Sequence, residues 1–166
     1  MEAVDCVRRW VEDFVIGHHL CPFAAPYIKI KALHYRLSGV VALEERLMEL
    51  YDELEYLEGS KEHRTSLLIY NDDALDFDHY LELLELAEDL IEEQGLEYQL
   101  ASFHPDYCFE DAQPEDPANL SNRSPYPMIH ILRLDDVARA VAQHPNTHEI
   151  PQRNIDYLRS HFQRKE

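Results

Sequence analysis

Glycine is scarce in this chain, with four residues among 166. No glycine-rich phosphate loop, G-x-S-x-G elbow or H-E-x-x-H helix occurs, so the usual sequence signatures of nucleotide, serine-hydrolase and zinc-protease chemistry are missing. Cysteine is also scarce. Cys6, Cys21 and Cys108 are an odd number with no C-x-x-C spacing, which excludes a secreted disulfide scaffold and a four-cysteine zinc site and predicts reduced thiols. No stretch approaches the 18 or more consecutive apolar residues of a membrane span. At the N-terminus Asp5, Arg8 and Arg9 interrupt any signal-peptide core, so a cytoplasmic protein with no membrane partner is expected.

Lysine and arginine are missing altogether between Arg64 and Arg123, a stretch that holds sixteen Asp and Glu. The whole chain has 15 Lys and Arg against 33 Asp and Glu, a formal charge of −18 that belongs mainly to its middle. Such a field repels nucleic acid, and screening over about 8 Å at physiological salt blunts this only in part. No nucleic-acid partner is expected. The acidic segment reads either as a solvated helix face or as a docking surface for a basic protein partner, with Glu82, Glu85, Glu88 and Glu92 along one helix.

What is present is enough apolar residue, 45% of the chain, to build one well-cored domain over residues 1–166. Val4, Val7, Val11, Phe14 and Val15 recur at helical spacing, predicting a helix over 3–17 with Gly17 as a left-handed cap. Pro22 and Pro26 limit the next segment to a loop with at most one helical turn. Leu33, Tyr35 and Leu37 alternate as a strand, and Leu43, Leu47, Leu50, Leu54 and Leu57 mark a helix that Gly59 stops. Residues 65–70 form a continuous apolar run suited to a strand buried on both faces. A helix from Phe77, capped by Asp76 and closed at Gly95, a strand over 97–103, a 24-residue connection over 104–127, a strand over 128–133 and helices over 135–143 and 151–163 complete the order. The fold class expected is an α/β sandwich: an N-terminal helix, then β-α-β-α-β, the long loop and β-α-α, around a mixed four-stranded sheet. A thioredoxin-like topology is the alternative, since Cys21-Pro22-Phe23 resembles half of a redox motif, although Cys21 precedes the first strand and Ala24 stands where a resolving cysteine would be.

A connection of 24 residues inside a compact domain is usually functional or disordered. This one is rich in proline and aromatic residues, which favours order. Its ends abut strand termini, where ligands bind in open α/β sheets, so His104 and Asp106 become candidates for general base and orienting carboxylate, or for metal ligands. Asn122, Arg123 and Ser124, with Tyr107 and Tyr126 beside them, offer a fork and polar groups suited to an anionic small molecule. Each has a structural alternative: a loop network for His104 and Asp106, and internal charge pairing for Arg123. Cys21 could be a nucleophile activated at a helix N-terminus, or a buried apolar residue. His130, mid-strand among Met128, Ile129, Ile131 and Leu132, reads as a hydrogen-bonded core residue. His18 and His19 lack the spacing of a zinc site.

The segments Val15-Ile16-Gly17 through Leu20-Cys21-Pro22-Phe23-Ala24, Ala101-Ser102-Phe103-His104-Pro105-Asp106-Tyr107, Pro117-Ala118-Asn119, Asn122-Arg123-Ser124-Pro125-Tyr126-Pro127-Met128 and Ile150-Pro151-x-Arg153-Asn154-Ile155 resemble an uncharacterised bacterial family known as domain of unknown function 1415. The resemblance implies a bacterial cytoplasmic protein and marks positions without supplying a mechanism. Ala25, His18 and His19 depart from its pattern, which commonly has a basic residue after Cys-Pro-Phe-Ala and no His-His pair before Leu-Cys. Cys6 and Cys108 match none of its motifs. The expectation carried forward is an enzyme in which Cys21, His104 and Asp106 act on an anionic substrate held by Arg123, Asn122 and Ser124, against a non-catalytic module that docks a basic partner.

Overall fold

The computed structural model describes residues 3–71, 75–144 and 146–162. Four strands, β1 (Leu33–Ser38), β2 (Thr65–Tyr70), β3 (Tyr98–Phe103) and β4 (Met128–Arg133), form one mixed sheet in the order β1-β2-β4-β3. β1 and β2 are parallel, and β4 runs antiparallel to both β2 and β3. The long loop therefore returns the chain into the slot between β2 and β3. All six residues of β2 are buried, as its unbroken apolar run requires once the strand is covered on both faces. β1 is an edge strand, whereas the thioredoxin arrangement carries its first strand inside the sheet. The thioredoxin-like alternative is thereby corrected.

Strand alternation divides the core in two. Helices α3 (Leu43–Gly59) and α4 (Phe77–Glu93) cover one face, where Leu50, Leu54, Leu68, Tyr80, Leu83, Ile129 and Ile131 are fully or almost fully buried. The Asp76 carboxylate accepts the His79 N–H and starts α4, while Gly95, at φ +61°, ends it in the left-handed region. A polar knot ties α3 to the sheet edge: Glu53, with no exposed surface, accepts from His34 Nδ1 at 2.6 Å and Ser66 Oγ at 2.6 Å. The other face carries α1 (Ala3–Arg9), α2 (Ala24–Lys29) and α5 (Leu134–Gln143), with a smaller cluster built on Val7, Val11, Leu67, Ile69 and Met128.

Two local expectations are revised. The first helix continues past α1 as a π-helical segment, Trp10–Ile16, whose wide turns are closed by Gly17 N–H to Glu12 O and Leu20 N–H to Val15 O. Gly17 has φ −58° and is not a left-handed cap. It is needed because a Cβ there would collide with the Asp13 carbonyl oxygen, and the left-handed residue is His19, at φ +55°. The second revision is α2, which runs Ala24–Lys29 with Pro26 as its third residue, where a missing N–H breaks no helical hydrogen bond. The last helix, α6, spans Ile150–His161; residue 163, the predicted end, lies outside the described residues.

Candidate functional site

Polar groups of the 104–127 loop bond to one another and to its neighbours. The His104 ring, 2% exposed, accepts the Asp106 N–H on Nδ1 at 3.0 Å and therefore donates from Nε2 to Leu75 O at 2.9 Å. It packs against Phe77 and Tyr80 of α4. Both nitrogens are engaged. The exposed Asp106 meets the His104 ring through its main chain. Arg123 donates from Nε to Tyr107 O at 2.8 Å and from Nη2 to Pro114 O at 2.7 Å, bracing main-chain carbonyls. Asn122 Nδ2 donates to Ser102 O, Ser124 Oγ donates to Tyr126 O, and the Tyr107 hydroxyl accepts from Ser102 Oγ. Asn119, fully buried, accepts from Phe109 N–H and donates to Gln113 O. It is the internal staple of the loop, a role that its place in the Pro117-Ala118-Asn119 segment does not reveal.

Cys21 lies elsewhere. It follows the left-handed turn at His19, which α6 clamps: Arg153 donates to His19 O at 2.8 Å, Asn154 donates to Leu20 O at 2.7 Å, and the Tyr157 hydroxyl bonds His18 Nδ1 at 2.8 Å. Arg159, on the same helix, holds Asp116 of the long loop at 2.6 Å. The two motif segments are thus coupled through α6, not by Cys21 meeting His104. Phe103 turns toward the Cys21 side and His104 toward α4, so the sheet separates the two candidates.

On the Cys21 side the sheet and the helices do not meet fully. A partly open cavity of about 280 Å³ lies between them, walled by Trp10, Val11, Val15 and Phe23 above and by Leu67, Ala101, Phe103 and Leu132 below. Ala101 stands directly opposite His130 in the sheet register, and Ala24 and Ala140 face the same space; small side chains at these positions leave it unfilled. Its polar groups are few: Cys21, Tyr27, Thr65, Gln99, His130 and Asp136. Burial pushes the Cys21 thiol up, outweighing the Phe23 and Ala24 N–H groups at the start of α2 that pull it down. The thiol is therefore protonated at rest, opposite to the activated nucleophile expected at a helix N-terminus.

His130 is enclosed by protein, and burial lowers its imidazole to about 4; its remaining accessible surface belongs to the cavity wall. Thr65 Oγ1 donates to Ile131 O at 2.6 Å, so at 2.8 Å it can only accept from His130 Nε2. The tautomer is fixed with the proton on Nε2. Nδ1 keeps its lone pair with no partner among the described residues. For Asp136 burial acts upward, but Arg64, bidentate at 2.8 and 3.1 Å, and Arg139 together hold its carboxyl below the usual range. The Tyr27 hydroxyl is raised by burial and by Asp136 beside it. Among the described residues no cluster of three His, Cys, Asp or Glu could hold a metal ion, and no helix is long and apolar enough to cross a membrane. Glu82, Glu85, Glu88 and Glu92 of α4 are exposed and form no ion pair with other described residues.

Cys21 stood out in the sequence, but its surroundings did not. Tyr27, Thr65, Gln99 and Asp136 carried no signal in isolation, and His130 read as core. The available signal was alternation: Thr65 and Leu67, Ala101 and Phe103, and His130 and Leu132 share one face once the sheet register is known.

Sheet order, helix layers and cavity define a three-layer α/β/α protein with a ligand-sized hollow on one face of a mixed sheet. The chain belongs to the family described as protein of unknown function DUF1415, whose model matches residues 2–165. Comparison with curated proteins and with solved structures finds no match.

Proposed function

We propose that this protein binds a small, predominantly apolar molecule in the cavity between its sheet and N-terminal helices. The observation that carries the reading is the cavity itself, about 280 Å³ with mainly aliphatic and aromatic walls and a few convergent polar groups, the usual character of a small-molecule site. An apolar cavity of about 150 Å³ is enough to admit benzene. The 104–127 loop lends less support to a site, because Arg123 is already turned onto the Tyr107 and Pro114 carbonyls.

A second reading makes the same cavity catalytic, because Cys21 and His130 both line it and a thiol can pass its proton to an open imidazole nitrogen. The resting chemistry favours binding: burial raises the thiol and lowers the imidazole, so both groups are neutral. Trp10, the single tryptophan of the chain, faces the cavity and reports on it. Benzene should saturate a change in Trp10 fluorescence in the wild type, and Ala140→Leu, which fills the space, should abolish it while leaving stability unchanged or raised by up to about 1 kcal/mol. No saturable change, or one that Ala140→Leu leaves intact, rejects the cavity as the site. For the catalytic reading, alkylation of Cys21 should show a thiolate-like rate near neutral pH only when ligand is bound.

A further inference from the structure

The cavity wall carries one open hydrogen-bonding position whose sense the surrounding structure dictates. Three links determine it. The Thr65 hydroxyl has a single proton, which goes to Ile131 O. The short approach between that oxygen and His130 Nε2 must then carry the histidine's proton. His130 Nδ1 is left as a lone pair on the wall, with no donor facing it among the described residues. A histidine in this state accepts and cannot donate, and its enclosure keeps it from taking up a proton near neutral pH.

The charge around the cavity narrows the ligand further. Among the described residues no Lys or Arg lines it. The Arg64 and Arg139 guanidinium groups beside it are committed to Asp136 and Asp135. An anion entering here would lose its hydration with no free cation to replace it. A strongly cationic ligand would meet Asp136 already neutralised by two arginines. The remaining class is neutral.

We infer that the cavity selects a neutral aromatic or compact aliphatic molecule bearing one hydroxyl or N–H group, which donates to His130 Nδ1 while the rest of the ligand packs on Trp10, Leu67 and Phe103. This rests on the cavity being the binding site and names the chemical class that the site accepts. A hydroxyl that entered without reaching Nδ1 would stay unpaired in an apolar space, which is why a donor at the right position discriminates.

Phenol and toluene, nearly equal in shape, isolate the donor, and benzoate tests the charge. Wild type, Ala140→Leu and His130→Leu are titrated with each compound by Trp10 fluorescence. The Thr65 hydroxyl keeps its Ile131 partner in His130→Leu, so that variant is expected to fold. The expected result is binding of phenol and toluene but not benzoate, with the phenol-to-toluene affinity ratio falling about tenfold in His130→Leu, the worth of one buried hydrogen bond. A ratio unmoved by His130→Leu overturns the inference and leaves the cavity reading standing. Benzoate binding as tightly as phenol also overturns it. Failure of phenol, toluene and benzene alike removes both the inference and the reading on which it rests. Ring nitrogen NMR of the wild type gives a check that needs no variant. The Nδ1 resonance should carry the shift of an unprotonated nitrogen and move on adding phenol but not toluene; a protonated Nδ1 in the free protein overturns the inference.

Discussion

The long loop contains a buried histidine and the cavity a half-buried one, and the two have opposite fates. His104 belongs to the segment richest in reactive residue types, yet its Nδ1 accepts Asp106 N–H, its Nε2 donates to Leu75 O, and Arg123, Asn122 and Ser124 around it are turned onto main-chain carbonyls. His130 sits in an apolar strand with one nitrogen anchored by Thr65 and the other open to an unfilled space. A reactive residue type makes a site only when part of its hydrogen-bonding capacity is left over and there is room beside it. On that criterion the cavity is the stronger candidate.

The largest test of this contrast uses neighbours on β2. Leu67 faces the cavity side and Leu68 the dense core under α3 and α4. Leu68→Ala should cost about 4 kcal/mol and Leu67→Ala about 2 kcal/mol, because the penalty grows with the packing that truncation removes and Leu67 already borders a void. Urea denaturation measures both, and equal costs would mean that the two faces are packed alike. Next comes pH. His130 is held at about 4 in the folded protein and titrates near about 6.5 when unfolded, so between those values only the unfolded chain takes up the proton. Stability should fall as pH drops through that window, by at most about 3 kcal/mol, and His130→Leu should lack that loss. Parallel curves for the two proteins would contradict the enclosed histidine.

His104→Ala should cost about 2 kcal/mol by leaving Leu75 O and Asp106 N–H unpaired, with benzene affinity at the cavity unchanged. A lost affinity with an intact fold would return His104 to the site. The smallest effect is expected at the α6 brace. The Arg159 guanidinium, with help from Ala118 N–H, holds Asp116 down to about 2, against about 3.9 unfolded. Its contribution is therefore complete above the unfolded value and lost as pH falls toward the folded one. Asp116→Asn should lower the melting temperature slightly at neutral pH, and the gap from wild type should close as the pH approaches 2.

Much of the fold was legible because its signals are local. The apolar run of 65–70, the leucine spacing of 43–57 and the Asp76 and Gly95 caps each act within one element, and the structure agrees with them. The π-helical segment was not legible, since Val11, Phe14 and Val15 fit an ordinary helix as well; the collision that bars a side chain at Gly17 appears only once the backbone is built. The site was half legible. Cys21 announced itself by its proline-flanked position, but whether its thiol is activated depends on a competition between burial and two N–H groups, and burial wins.

Composition, period and caps alone determined a mixed α/β chain with a middle segment of strongly negative charge and a long proline-rich connection, because those properties depend on residues near one another in the chain. Tertiary structure alone decided that β4 enters between β2 and β3, that Phe103 and His104 part to opposite faces, and that Ala101 and Ala140 leave a hollow beside His130. Those outcomes depend on register and on volumes contributed by distant segments, and a side chain's free capacity is whatever its neighbours in space leave unused.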